Sequence, residues 1–483
     1  MKRMRLLAFA LFLLSGIMLH AQQNPRLYAD DDFQGEMDLY DALEWISTNA
    51  QDGGNYTIVL ETDLASSSSV LDYNGKSVIV SLKSSGADVQ VTYATRSPSS
   101  SLFTVKEGVT FILEKGVALV GRPSASRPPV TVDGGSFIMN GGAVKDSKVD
   151  HDRNWFGGGV NLLQGTFTMN DGIISGNVAS HGAGVHVGKD ATFIMNGGML
   201  NLNSARLTLD HAGARGGGVY VNGTFTMTNG SISNNGCYSR DGNVCGAGGG
   251  VHVSNTGKFV MQGGTISNNS GCGIYVEGKV SMNGGIVTRN TRGGVYVNGF
   301  RTLEGRVAGS FTMNNGSISE NKADIGAGVF VSSDSSFIMN DGEIIGNTAK
   351  GDSYSFIGPK GGGGVCVQGT FTMNGGIISK NIANGIATGG GGVFVDGKFT
   401  MTDGIISRNS ADKSGGGIFV SSGTFIKSNT AGIIYGSDVA EDKANKAKQY
   451  GHAVYTKNGS RDTTARATMA LDSSKYGAEG GWE

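Results

Sequence analysis

Four columns of near-invariant residues, held in phase through units of unequal length, constrain this chain more than any other feature. Aligned on the first residue of F-x-M, ten units begin at Phe137, Phe167, Phe193, Phe225, Phe259, Val280, Phe311, Phe337, Phe371 and Phe399, and a degraded copy begins at Phe425. The third residue of every unit is methionine, from Met139 to Met401. Three places further comes a glycine without exception, Gly142 to Gly404. Asparagine follows at Asn177, Asn203, Asn235, Asn269, Asn290, Asn321, Asn347, Asn381 and Asn409, with Ser147 in its place in the first unit. Each unit closes on a glycine-rich stretch and an apolar-x-apolar triplet, such as GAGVHV, GGGVYV or GGGIFV.

The shortest unit, Phe259 to Lys279, holds three runs of period two: F-V-M, T-I-S and I-Y-V. Separated by Gly, Asn and Ser, these read as three short strands per unit. Such strands pair in parallel with their copies in the next unit, rising about 4.8 Å each time. Alternation points Phe and Met inward, stacked on their equivalents, and sends the intervening Thr, Ile, Val or Ser outward. The methionine column is therefore core packing and not a soft-metal site. The glycine column marks a turn that needs a positive φ or no side chain. Buried asparagine amides one strand spacing apart can donate and accept along the axis, which predicts an asparagine ladder.

The expected fold is all-β: a single-stranded right-handed parallel β-helix with a short N-terminal capping helix. F-T-M-N and F-I-M-N together with G-G-G-V resemble the F-x-x-N and G-G-A-[ILV] motifs of chlamydial polymorphic outer membrane proteins, and the ladder is similar to that of pectin-lyase-like β-helices. The resemblance covers Phe137 to Asn429 and implies fold more than function. It also implies an adhesin-like surface role or, alternatively, a polysaccharide lyase or glycoside hydrolase. No translocator barrel is expected at the C-terminal end, which is polar and lacks ten-residue alternating strands.

Outside the repeats, Met37 to Ile46 has helical spacing at Met37, Leu39, Leu43 and Ile46 and predicts a plug for the open end. Tyr56 to Leu60, Ser77 to Leu82, Leu102 to Val105, Val109 to Leu113 and Val117 to Val120 predict irregular early strands of the same stack. The expected organisation is a leader at 1–21, a cap and first strands at 22–136, regular repeats at 137–429, and a C-terminal cap and tail at 430–483.

The leader reading rests on Lys2, Arg3 and Arg5 ahead of the apolar run Leu6 to Met18, which is short for a membrane span. A cut after Ala21 predicts export to the periplasm, the cell surface or the medium, with no transmembrane segment after removal of the leader. The 81 glycines among 483 residues, far above the usual ~7%, fit a chain of tight turns without a collagen period. A formal net charge of −1 supplies no long-range field for nucleic acid.

Catalysis would need acids converging on one face. Asp171, Asp341 and Asp403 occupy one register position in the turn after F-x-M, but Gly197, Asn315 and Gly375 stand there in adjacent units, so the aspartates read as turn formers. Asp150-His151 and Asp210-His211 fall in variable insertions. No metal or cofactor motif occurs, and no catalytic residue is assigned. Cys237 can pair with Cys245 or with Cys272, and spacing does not choose between them. A binding candidate is the middle residue of the third strand: His186, Tyr220, His252, Tyr275, Tyr296, Phe330, Cys366, Phe394 and Phe419. With its valine neighbours facing in, this column forms an outward aromatic stripe. Either it stacks on glycans or a protein partner, or the insertions fold back over it.

Overall fold

The computed structural model describes residues 24–482 apart from 96–98, 124–125, 150–155, 207–212, 240, 245–246, 303–304, 352–360, 386–388, 428–431, 437–441, 457–459 and 463–480. The leader, the Asp150-His151 and Asp210-His211 pairs, Cys245 and most of the C-terminal tail lie outside the described residues.

Phenylalanine and methionine turn inward as their alternation requires. Phe137 to Phe399 and Met139 to Met401 are fully buried, and Val280 keeps only 2% exposure where it replaces the aromatic ring. Each F-x-M strand pairs in parallel, in register, with its copy in the next unit, as in Phe193↔Phe225 and Met195↔Met227. The rings stack face to face: Phe167 and Phe193 are 4.7 Å apart at 5°, and Phe337 and Phe371 are 4.7 Å apart at 3°. Offset stacking of this kind adds to the burial of apolar area. The second strands form their own sheet of fourteen parallel strands, from Leu64–Ser66 to Ile433–Ile434. First and third strands share one large sheet, because the third strand of one unit runs into the first strand of the next, as in Val160–Met169 and Val185–Met195. Long parallel sheets stacked unit on unit are consistent with a parallel β-helix.

Two corners bend each unit. All ten column glycines have positive φ, from 69° at Gly142 to 104° at Gly316. Glycine is required there for a second reason: a Cβ on Gly264 would lie 2.5 Å from Met227 Cε in the unit before. The other corner is the residue just before the asparagine. It is left-handed even where it carries a side chain, as at Leu202, Asn234, Arg289, Glu320 and Lys380, with φ of 55–57°. That conformation is unfavourable for most L-residues, and the asparagine that follows it offsets the cost.

The ladder is continuous from Asn177 to Asn445. Asn290 Oδ1 accepts from both the N–H and the Nδ2 of Asn269, at 3.0 Å each. Asn290 Nδ2 donates to Asn321 Oδ1 at 3.0 Å and to the Ile266 carbonyl at 3.3 Å. Every ladder asparagine is at most 1% exposed, so each buried polar group needs these partners. Asn445 is a rung that its place after an insertion hides from the spacing; the signal that marks it is N-x-A, shared by Asn177, Asn203, Asn321, Asn347, Asn381 and Asn409.

That N-x-A also builds an element the three-strand reading lacks. A side strand follows the asparagine in most units, and its alanine is buried: Ala179, Ala205, Ala349, Ala383 and Ala411 are at most 1% exposed. These strands form two separate sheets, Val178–Ala179 with Ser204–Arg206 and Gly236–Tyr238, and five strands from Lys322–Ala323 to Lys446–Ala447.

At the N-terminal end the helix runs Leu39–Asn49, with Asp38 capping it by accepting from Asp41 N–H at 2.8 Å. Leu39, Ala42, Leu43 and Ile46 face the core, while Met37 and Trp45 are only partly buried against it. An antiparallel pair, Arg26–Ala29 with Asp32–Glu36, lies beside the first strand; the sequence reading has no counterpart for it. The early strands join the stack as expected, with Val109–Leu113 and Val117–Val120 at the expected bounds.

Candidate functional site

The third-strand column exists as a physical stack. Tyr220 lies 5.1 Å from His252, His252 4.9 Å from Tyr275, Tyr275 5.1 Å from Tyr296 and Tyr296 4.6 Å from Phe330, with rings near parallel. Of the two alternatives, the covered one holds along most of the column, and the open stripe does not. His186, Tyr220, His252, Phe330, Phe394 and Phe419 are buried, none above 6% exposure, and Cys366 is fully buried. The connections before the third strand cover them. Phe156 packs on His186 at 4.6 Å and on Tyr220 at 6.1 Å, and His181 packs edge-on to Tyr220 at 5.2 Å. Ile325 packs against the cluster of Phe330, Cys366, Phe394, Phe419 and Tyr455.

Tyr275 and Tyr296 alone among the named aromatic column residues keep partial exposure. The cause is chain length. Ile274 follows Asn269 by five places and Val295 follows Asn290 by five, whereas the gap is eight from Asn177 to Val185 and from Asn321 to Val329, and longer elsewhere. In these two units N-x-A becomes Asn269-Ser270-Gly271 and Asn290-Thr291-Arg292. With neither residues nor alanine to form a side strand, the side sheet breaks between Gly236–Tyr238 and Lys322–Ala323.

The break is a notch of about 870 Å³ floored by Tyr296 and walled by Arg289, Arg292, Glu320, Lys322, Asp324 and Lys350. Arg289 and Glu320 occupy the left-handed corner of successive units, which directs both side chains outward, and they pair at 2.7 Å. Burial pushes the Tyr296 hydroxyl up to about 12, so the ring is a neutral apolar floor with a hydroxyl that stays protonated at neutral pH. The Tyr275 hydroxyl accepts a hydrogen bond from Asn298 Nδ2 at 2.8 Å, which holds that ring in the stack.

The covered stretch has different chemistry. Burial pushes His186 down to about 3 and His181, with help from the Arg215 and His252 charges, down to about 4. His186 Nδ1 lies 2.8 Å from Asn161 Oδ1. His252 is fully buried and lowered by that burial, against the pull of Glu277 at 3.4 Å. These imidazoles are neutral packing groups at pH 7.

Asp171, Asp341 and Asp403 each accept the N–H of the following glycine, at 2.8, 2.8 and 2.7 Å, which is turn chemistry. Among the described residues no cluster of three or more His, Cys, Asp or Glu could hold a metal ion. Cys237 is disulfide-bonded, whereas Cys272 and Cys366 are buried thiols, so the Cys237–Cys272 pairing is not the one formed; Cys245 lies outside the described residues. No helix among the described residues is long and apolar enough to cross a membrane. Comparison with protein-family models, with curated proteins and with solved structures finds no match to the chain.

Proposed function

We propose that this chain is an exported, adhesin-like right-handed parallel β-helix whose task is to bind glycans, and that the notch over Tyr296 is where it binds. Right-handedness is supported by the general rule for parallel crossovers, and export by the basic start and the apolar run to Met18. The observation that carries the binding reading is the interruption itself. A column of aromatic rings is covered along most of its length and bared at one place, beside a concave wall of polar side chains. Concave sites with an aromatic surface and a few convergent polar groups are the usual form of a small-ligand site. Sugar rings present apolar faces that stack on such an aromatic edge and hydroxyls that bond its rim.

A glycan array probed with the secreted protein and with Tyr296→Ser tests this reading. Specific saccharide signals that fade in the variant are expected. An array without signal, or one with the same signal from both proteins, would reject it. Cell fractionation checks the export half: a chain starting near Gln22 in the medium, on the surface or in the periplasm is expected, and a cytosolic chain with its leader intact contradicts it.

A further inference from the structure

Resting on that glycan-binding reading, we infer that the notch selects a negatively charged saccharide, a polymer carrying a carboxylate or sulfate on successive sugar rings. The wall around Tyr296 carries four cations, Arg289, Arg292, Lys322 and Lys350, against two carboxylates, Glu320 and Asp324. Glu320 is already engaged by Arg289. Among the described residues no ion pair joins Arg292, Lys322 or Lys350 to a carboxylate, and all three are exposed. The notch is thus locally positive in a chain whose formal net charge is −1, so the excess is a property of this place and not of the whole surface.

The placement of the cations, one from each of three successive units, sharpens the class of ligand. Arg292, Lys322 and Lys350 lie two, one and three places after Asn290, Asn321 and Asn347, and Lys322 pairs with Thr348, so the cations climb the stack without sharing a register position. Successive units are one strand spacing apart, about 4.8 Å, which is close to the advance of one sugar ring along an extended chain. A polymer lying across these units would therefore pass one long cationic side chain from each of three units beside Tyr296. A guanidinium at Arg292 suits a carboxylate or sulfate through paired hydrogen bonds, and the two ammonium groups act as point charges. A single phosphate or an acidic side chain would satisfy one cation and leave the others unused. Because all three are exposed, the attraction weakens with salt.

The test uses the full secreted protein and titrates it calorimetrically with polygalacturonate, with a sulfated glycosaminoglycan, and with a neutral polysaccharide of similar length, each at low and high salt. Two double variants accompany it: Arg292→Gln with Lys322→Gln, and, as a charge-matched control on the first strands, Lys279→Gln with Lys398→Gln. The expected result is binding of one or both charged polymers at least tenfold tighter than the neutral one, weakened by salt, lost in the notch variant and kept in the control. Equal affinity for the neutral polymer, with binding still dependent on Tyr296, would overturn the charge inference and leave the glycan reading standing. Binding of charged polymers that both double variants reduce equally would also overturn it, as would binding that neither reduces. No binding of any polymer would overturn both.

Discussion

Tyr220 and Tyr296 occupy the same place on the same strand type, pair in register through the same column, and stack on neighbours at nearly the same distance, 5.1 Å to His252 and 4.6 Å to Phe330. Yet Tyr220 is 6% exposed beneath Phe156 and His181, while Tyr296 forms the floor of an open notch. The residue and its strand do not make that difference; the length of the connection from the asparagine to the third strand does. In this architecture a site is made by shortening a loop over an existing column.

If so, the ladder beneath the two stretches should not distinguish them. Asn235→Ala, under cover, and Asn290→Ala, under the notch, each remove a side chain that makes four hydrogen bonds. Each leaves buried backbone groups unpaired, and both should cost about 3 kcal/mol in urea unfolding. A cost confined to one of them would break the comparison at its base. The next largest effect should come from converting one region into the other. Replacing Thr291–Gly294 with the longer connection Val178–Gly184 supplies the missing side strand and its cover. Saccharide affinity should fall about a hundredfold, near 2.7 kcal/mol, with near-ultraviolet circular dichroism unchanged; full affinity in this graft would separate binding from the notch.

Acid should then loosen the covered stretch first. His181 and His186 have folded values depressed to about 4 and about 3, so their contribution to stability is complete above the unfolded value of about 6.5 and is lost as pH falls towards the folded values. At pH 5.5 the loss should be about 1 kcal/mol per histidine. Hydrogen exchange should show Val219–Val221 losing protection before Val295–Val297, and simultaneous loss would contradict the assignment. The smallest effect should be that of Tyr296→Ser on saccharide affinity, about tenfold at most from a single aromatic contact. The matching change at Tyr220 should leave affinity unchanged.

The core was legible because its residues repeat one geometry. Phe, Met, Gly and Asn each answer a demand that recurs in every unit, and the structure places all four columns where the alternation puts them. What escaped the reading either lacks such a periodic signature or carries one whose structural demand is weak. The left-handed corner before each asparagine accepts Leu, Asn, Arg, Glu or Lys, because the demand falls on the backbone and the side chain points to water. The side strand is two or three residues long and announced only by an alanine. A second ladder on the surface, in which Asn196 donates to Asn170 and Asn340 to Asn314 at 2.9 and 2.7 Å, stands in plain view in F-x-M-N, yet exposed amides need no partner and so imply none. The aromatic column and its possible covering by insertions were both legible, but which units are covered was not, since exposure depends on loops whose length and contents vary from unit to unit. The notch was visible only as the shortest unit, a feature that reads as regularity until the neighbours are seen to carry extra cover.

The most direct test of the claim that cover, and not residue type, decides where this column meets solvent is hydroxyl-radical footprinting of the folded protein, mapped by peptide with and without a bound saccharide. The expected result is labelling of Tyr296, and more weakly Tyr275, in the free protein, with Tyr220, Phe394 and Phe419 unlabelled, and loss of the Tyr296 label on binding. Labelling of Tyr220 or Phe419 as strong as that of Tyr296, or a Tyr296 label that the saccharide leaves untouched, would contradict it.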